Sequence, residues 1–502
     1  MDDEEYDCPL GNGQSNSDHR AVIEAVSPLR ILLADEDTIR VWDIRDTEWS
    51  ATINNAGGSI GKPANIEYGR DDDEVLIFYD FGIKVKIWSL STSRSVEIRD
   101  PKLTAKGHGY RPRTGHFALL TRPAAHDIIT LHAPRSYKLI DSFTVATVDA
   151  QGLKWSPDGR WLAVWDSASS GYKVFIYTPD GHLYRTYTGD RENGFNGLGV
   201  KIIEWSPQGK YLAIGGHDNR ITLLSTTTVG LAMMVPSGRS LTMNQFSPAM
   251  FFDHTSVIKL PHISVWQEQV SASKARSYIV TTQPMCPPTI ASLPTDVNQK
   301  TGISVIAFNA DGTLITTRND SMPTTVWIWS LKLLSPYAVL VQHSAVRSVQ
   351  WHPTCPDLLM FQCVHEERLV YLWSSRWEQP RIVGMPSEKL AGRQEARWIR
   401  TSSDQRPTMM FGDAQNYVVG FVRGEGIQTE SPTKEDMAAG NPEPLFDEGN
   451  SMDLSPIKLL HEDSRNELDV DSADDGLSGQ LSDVSGEVDD TFHYRRRAMN
   501  SD

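Results

Sequence analysis

The chain has 502 residues, 39% of them hydrophobic, with 14 tryptophans and a formal net charge of −16. That length exceeds one ordinary compact domain and suits a repeat architecture with tails, and no apolar run approaches the roughly 18 residues needed to cross a membrane as a helix. The cysteines, Cys8, Cys286, Cys355 and Cys363, show no CxxC and no metal-ligand spacing with histidine, which argues against a zinc site or a disulfide framework and fits a reducing compartment.

The acidity is concentrated at one end. Between Glu425 and Asp502 there are 20 acidic and 6 basic side chains, a net of −14, so the residues before them are nearly neutral. Neither part carries the basic stripe that a nucleic-acid binder needs. Charge also makes the tail unsuited to direct contact with an acidic polymer such as a microtubule lattice.

Residues 1–20 are polar, begin MDDEEYDC without an apolar core, and read as a disordered segment rather than a secretory signal. Alternating strand-like runs follow, each with an aromatic near its end. They are TIRVWDI with Trp42, KVKIWSL with Trp88, YKVFIYTPDG with Tyr177, TTVWIWSL with Trp329 and RLVYLWSS with Trp373. HDIITLHAP and RITLLSTTT are degenerate copies, with His132 and Leu224 at that place, and QNYVVGFVR is a last faint unit ending near Arg423. A second device recurs beside them. WSPDGRWLAVWD from Trp155, WSPQGKYLAIGGHDN from Trp205, IAFNADGTLITT around Phe308 and VQWHPTCPDLLM around Trp351 each read as strand, tight turn, strand. Proline pre-sets one turn position, Asp bonds its own backbone, and Gly accepts positive φ.

A four-stranded antiparallel sheet of about 40 residues has two apolar faces and cannot hide both alone; packing such units around an axis buries each face on its neighbour. The expected fold is therefore all-β, a β-propeller of seven or eight blades over residues 21–423, with ring closure left open. The stretch from about 231 to 299 interrupts the pattern with Pro, Ser and Thr; part of it is expected to supply an outer strand and the rest a surface loop. Residues 424–502 read as a disordered acidic tail.

No nucleophile elbow, phosphate loop or zinc-binding helix is present, so the chain reads as no enzyme, with no catalytic residues, no metal and no cofactor. His108, His116, His126 and Asp127 fall in one unit and read as turn and blade-edge residues. Asp218, in a tight turn six residues before Leu224, reads as structural, and Glu367 holds the same offset from Trp373. Trp42, Trp88, Trp155, Trp205, Trp329 and Trp373 read as blade-forming residues. Trp165 and Asp166 form a WD dipeptide on the second strand of their unit, where Trp165 either packs in the core or serves a binding face. In the tail, Ser431 and Ser455 both open an S-P-x-K pattern suited to cyclin-dependent kinases and are candidate phosphorylation sites.

Several segments together resemble one family of WD40 repeat proteins, the family antisense to the p53 tumour suppressor in animals, whose fungal members sit at spindle pole bodies. They are GLKWSPDGRWLAVWDSASSGYKVFIYTPDGHLYRTY, GVKIIEWSPQGKYLAIGGHDNRITLL, GISVIAFNADGTLITTRNDSMPTTVWIWSL and AVRSVQWHPTCPDLLMFQCVHEERLVYLWS. The resemblance implies a WD40 propeller acting as a non-enzymatic scaffold in the cytoplasm at microtubule-organising centres. It implies protein partners: a coiled-coil spindle-anchoring protein and a kinesin-14 motor, with microtubules reached indirectly and neither nucleic acid nor membrane bound. Family members usually carry a further blade ahead of the unit holding Trp42. The most distinctive motifs make Trp165, Arg318, Asn319 and Asp320 candidate partner-binding residues. The alternative is a generic adaptor, such as a ubiquitin-ligase substrate receptor or an RNA-processing scaffold.

Overall fold

The computed structural model describes residues 22–422 apart from 27–29, 35–37, 44–45, 47, 55–61, 103, 105, 190–196, 228–244, 261, 291–300, 366, 385–394, 400–405 and 413–416. Within these residues the chain forms eight sheets in sequence order, the blades of a β-propeller, antiparallel throughout except for one added strand in the sixth. They occupy residues 22–54, 63–99, 108–144, 150–187, 200–253, 303–341, 346–384 and 395–421. Blades 1 to 7 contain a four-stranded meander in chain order, and blade 8 shows three strands among the described residues. Ser431, Ser455 and the rest of the 424–502 tail lie outside the described residues, as does the segment 1–20.

The end-of-strand aromatics fall on one structural position. Trp42, Trp88, His132, Tyr177, Leu224, Trp329 and Trp373 all sit at or next to the end of the third strand of blades 1 to 7. QNYVVGFVR likewise supplies the third strand of blade 8, Tyr417–Phe421. The second strands are the most buried, as in EVLIFY, LAVWD and LLMFQC, where every residue is buried, because they lie mid-blade with both faces covered.

The core is a series of slabs between blades rather than one central mass. Ile39, Val41 and Ile53 of blade 1 meet Val75, Ile77 and Tyr79 of blade 2. Ile176 and Val174 of blade 4 meet Ile203 and Leu212 of blade 5, and Val326 and Ile328 of blade 6 meet Phe361 and Tyr371 of blade 7. Each such aliphatic side chain contributes about 1.5–3 kcal/mol on burial, so no blade is stable without its neighbours. First strands run against first strands, blade 3 on 4, 5 on 6 and 6 on 7, which places them along the axis.

The turn between first and second strands is closed by one side chain repeated in four blades. Ser156 Oγ accepts the Trp161 amide at 3.0 Å and Ser206 Oγ that of Tyr211 at 2.9 Å. Asn309 Oδ1 accepts from Leu314 at 2.9 Å, and His352 Nδ1 accepts from Cys355 at 2.9 Å. All four side chains are buried, so each substitutes for a partner that water cannot supply. Gly159, Gly209 and Gly312 occupy φ of +71°, +67° and +66° in these turns, the region that favours glycine. Ser206→Ala is expected to lower stability by about 1 kcal/mol in urea titrations, whereas Ser206→Asn, the blade 6 solution, should retain most of it.

The 231–299 stretch is used twice. Ser247–Asp253 is the fourth strand of blade 5. Ser264–Val270 and Arg276–Val280 form a hairpin whose first strand pairs in parallel with Ser335–Val341, so blade 6 becomes a six-stranded sheet.

Candidate protein-docking face

The two ends of the blades differ in chemistry. At the end that holds the turns between second and third strands, buried carboxylates tie backbone to backbone. Asp166 is fully buried and accepts the amides of Val148, Asp149 and Ser167 at 3.1, 2.8 and 3.0 Å. Asp127 accepts from Lys102 Nζ at 2.9 Å, Thr147 Oγ1 at 3.0 Å and the Ala150 amide at 2.6 Å. Lys102 also donates to Asp149, and with Arg122 it holds that carboxyl below the usual range. Asp218 caps its turn by accepting the Arg220 amide at 3.0 Å, while burial pushes its pKa up.

The four candidate binding residues lie at this end or in the core. Trp165 is only 2% exposed and packs with Tyr172, Val174 and Tyr187. Of the two readings of this residue, the structure shows the packed one: the buried indole offers a partner no surface. Arg318, Asn319 and Asp320 do come together, as a latch. Arg318 donates to the Val346 carbonyl of blade 7, and at 2.8 Å to Ser304 Oγ and Asp320 Oδ1. Asp320 accepts from Lys201 of blade 5 at 2.6 Å, and Asn319, fully buried, donates to Asn219 Oδ1 at 2.6 Å. Burial works to raise the Asp320 pKa, but Lys201, Ser304 and Arg318 outweigh it and hold the carboxyl low. These residues stitch blade 6 to both neighbours.

The histidines of blade 3 do not converge. His108 Nε2 faces Glu67 at 2.7 Å, His116 bonds Thr114, and His126 is exposed. Among the described residues no three His, Cys, Asp or Glu side chains are grouped to hold a metal.

At the opposite end, the first strands of blades 4, 5 and 6 finish around a depression of about 440 Å³. Trp155, Trp205, Phe308 and Pro207 line it, with the Lys154–Glu204 ion pair across it. The tryptophans here also bridge blades, which sequence reading missed. Trp205 Nε1 donates to the Lys154 carbonyl, Trp351 to Ala307 and Trp398 to Gln350, each at 3.1 Å. The signal was an aromatic ending the first strand, but its acceptor sits a blade away and leaves no local mark. Apolar rings, prolines and one ion pair can hold a side chain of a partner.

Blades of this kind, with the third-strand aromatic, the turn aspartate and first-strand contacts along the axis, define a WD-repeat β-propeller, and the chain is similar to WD repeat-containing proteins. Its sequence is 29% identical over 342 residues to the WD repeat-containing protein WRAP73 of Mus musculus, covering 67% of this chain and 71% of that one. That match is consistent with the p53-antisense resemblance. An uncharacterised WD repeat-containing protein of Schizosaccharomyces pombe is 26% identical over 408 residues, 78% of each chain. Among solved structures, Sqt1 of Saccharomyces cerevisiae aligns with a TM-score of 0.51 and 10% identity, covering 81% of this chain and 97% of that one, a likeness of fold alone. No protein-family model matches the chain.

Proposed function

We propose that the chain is a non-enzymatic scaffold of the spindle pole body or microtubule-organising centre. In this reading it holds microtubule minus ends through a coiled-coil anchor and a kinesin-14 motor. The observation that carries the reading is the 29% identity to mouse WRAP73 over 342 residues, together with the family resemblance of the blade 4 to blade 7 motifs. The blade architecture supports it, since latched neighbouring blades present their turns as fixed binding surfaces. The test is to tag the C-terminus, image cells through mitosis and purify the protein from them. Foci at spindle poles, with a coiled-coil protein and a kinesin-14 in the eluate, are the expected result. Diffuse or nuclear signal with ligase or ribonucleoprotein components would instead establish the generic adaptor.

A further inference from the structure

Blade 3 carries two turns of the same unusual form at the same end. In the first, the Thr114 amide bonds the Pro112 carbonyl at 2.9 Å and the Gly115 amide bonds the Arg111 carbonyl at 2.9 Å. In the second, the Ser136 amide bonds the Pro134 carbonyl at 2.6 Å and the Tyr137 amide bonds the Ala133 carbonyl at 3.0 Å. Each is a Pro-Arg-Thr/Ser turn closed across a single residue, and that residue is an arginine at positive φ, +67° for Arg113 and +60° for Arg135. A three-residue turn with positive φ at its centre is the rare, strained form, and neither arginine is of a type that favours that region.

The strain gains the fold nothing visible. Arg113 and Arg135 are both exposed, and neither has an ion pair among the described residues. The scaffold beneath them, by contrast, is fixed. Tyr137 is buried, donates to Glu74 Oε2 of blade 2 at 2.5 Å and bonds Tyr110 at 2.9 Å. Arg111 donates to the Gly159 carbonyl of blade 4 at 2.9 Å. The turns join strands 1 to 2 and 3 to 4 of one sheet, so they stand two strand spacings apart, about 10 Å. Residues 111–116 and 133–138 hold Arg111, Arg113, Arg135 and Lys138 and no carboxylate, in a chain whose net charge is −16. Strained residues that over-determined surroundings hold outward are a mark of binding sites.

We propose that these twin arginine turns form a docking site for a short carboxylate-rich segment of a partner protein. Two arginines on turns whose backbones stand about 10 Å apart can reach acidic side chains three residues apart in an extended peptide. Carboxylates bound the patch on both sides, Asp71, Asp72 and Asp73 on the blade 2 turn and Asp158 and Asp180 on blade 4. They limit how long an anionic segment can lie across the patch, which favours a short acidic peptide over a long polyphosphate track. The site stands apart from the axial depression, and its existence does not depend on where in the cell the protein works.

Fluorescence anisotropy of the full chain with labelled hexaglutamate, at 50 mM and 200 mM salt, tests the site. Saturable binding that weakens with salt is expected. The Arg113→Gly/Arg135→Gly double variant is expected to bind at least tenfold more weakly while its thermal midpoint stays level or rises, because glycine relieves the positive φ. Arg94→Gln/Arg99→Gln removes the same charge from the exposed fourth strand of blade 2 and is expected to change binding less than twofold. Absent binding at low salt, equal losses in both double variants, or tighter binding of an oligothymidylate of six nucleotides would each overturn the proposal.

Discussion

Glu268→Ala is expected to lower stability by about 3–5 kcal/mol and to free the added hairpin before the blades unfold. Glu268 is fully buried on the first hairpin strand. It accepts from Arg276 Nη1 at 2.7 Å, Tyr371 Oη at 2.8 Å and the His343 amide at 2.8 Å. Arg276, on the second hairpin strand, also donates to Glu367 Oε2 of blade 7 at 2.5 Å. Burial works against the guanidinium's charge, and the two carboxylates overcome it and raise the pKa. The hairpin is thus clamped between its own sheet and blade 7. Removing Glu268 leaves the buried guanidinium with Glu367 and the Tyr371 hydroxyl at 3.3 Å, takes one of the bonds of that hydroxyl, and strips the His343 amide of its acceptor, and a buried donor left unpaired carries its whole desolvation penalty. Hydrogen exchange should rise across residues 264–280 while blades 1 to 4 keep their protection. Exchange that rises uniformly around the ring would mean that the clamp is not local. Glu268→Gln keeps the shape and one acceptor, so its effect should be smaller.

The contrast between that clamp and the blades shows what a sequence discloses. The third-strand aromatics were legible because strand, turn and aromatic recur within one unit at short range, and the structure places Trp42, Trp88, Trp329 and Trp373 on the third strands of their blades. The eight sheets follow from the same repeat. Contacts between units were not legible. Nothing near Arg276 announces Glu367, 91 residues away, and nothing near Lys201 announces Asp320, 119 residues away. The motif around Arg318, Asn319 and Asp320 looked distinctive because it latches blades 5, 6 and 7, a demand as strict as binding and indistinguishable from it in one sequence. The twin arginine turns passed unnoticed for the opposite reason: Pro-Arg-Thr and Pro-Arg-Ser look like ordinary loop residues until the positive φ values and the shared end of the blade are known.

Acidification from pH 6.5 to 5 is expected to remove about 3 kcal/mol of stability through two buried histidines. His254 is 2% exposed, its ring stacked on Trp327 and Trp329 with centroids 5.2 and 5.8 Å away. Thr317 Oγ1 accepts the Trp329 indole N–H at 2.8 Å and lies 2.8 Å from His254 Nε2. Burial lowers the pKa of His254 to about 3. His352 is 1% exposed, its Nδ1 occupied by the Cys355 and Thr354 amides, and burial lowers its pKa to about 4. Both are therefore neutral in the fold, and in the unfolded chain both titrate near 6.5. Above that value neither state binds the proton and stability is flat. Below it the unfolded chain gains protons that the fold refuses, so each group approaches a loss of about 1.4 kcal/mol per pH unit, about 1.6 kcal/mol between pH 6.5 and 5. The carboxylates with lowered pKa, Asp149, Asp320 and Glu367, act only below their own unfolded range near pH 4, which separates the two effects. His352→Asn borrows the residue that blade 6 uses at Asn309, and His254→Phe keeps the stack. Urea midpoints of that double variant should fall clearly less from pH 6.5 to 5 than the parent's, the remaining slope coming from His132, His217 and His365, which burial also lowers, and parallel slopes would assign the acid sensitivity to other groups. The two histidines sit in separate blade interfaces, His254 against blade 6 and His352 beside Trp398 of blade 8. Acid should thus loosen the ring at two seams at once, and the single variants should each restore one.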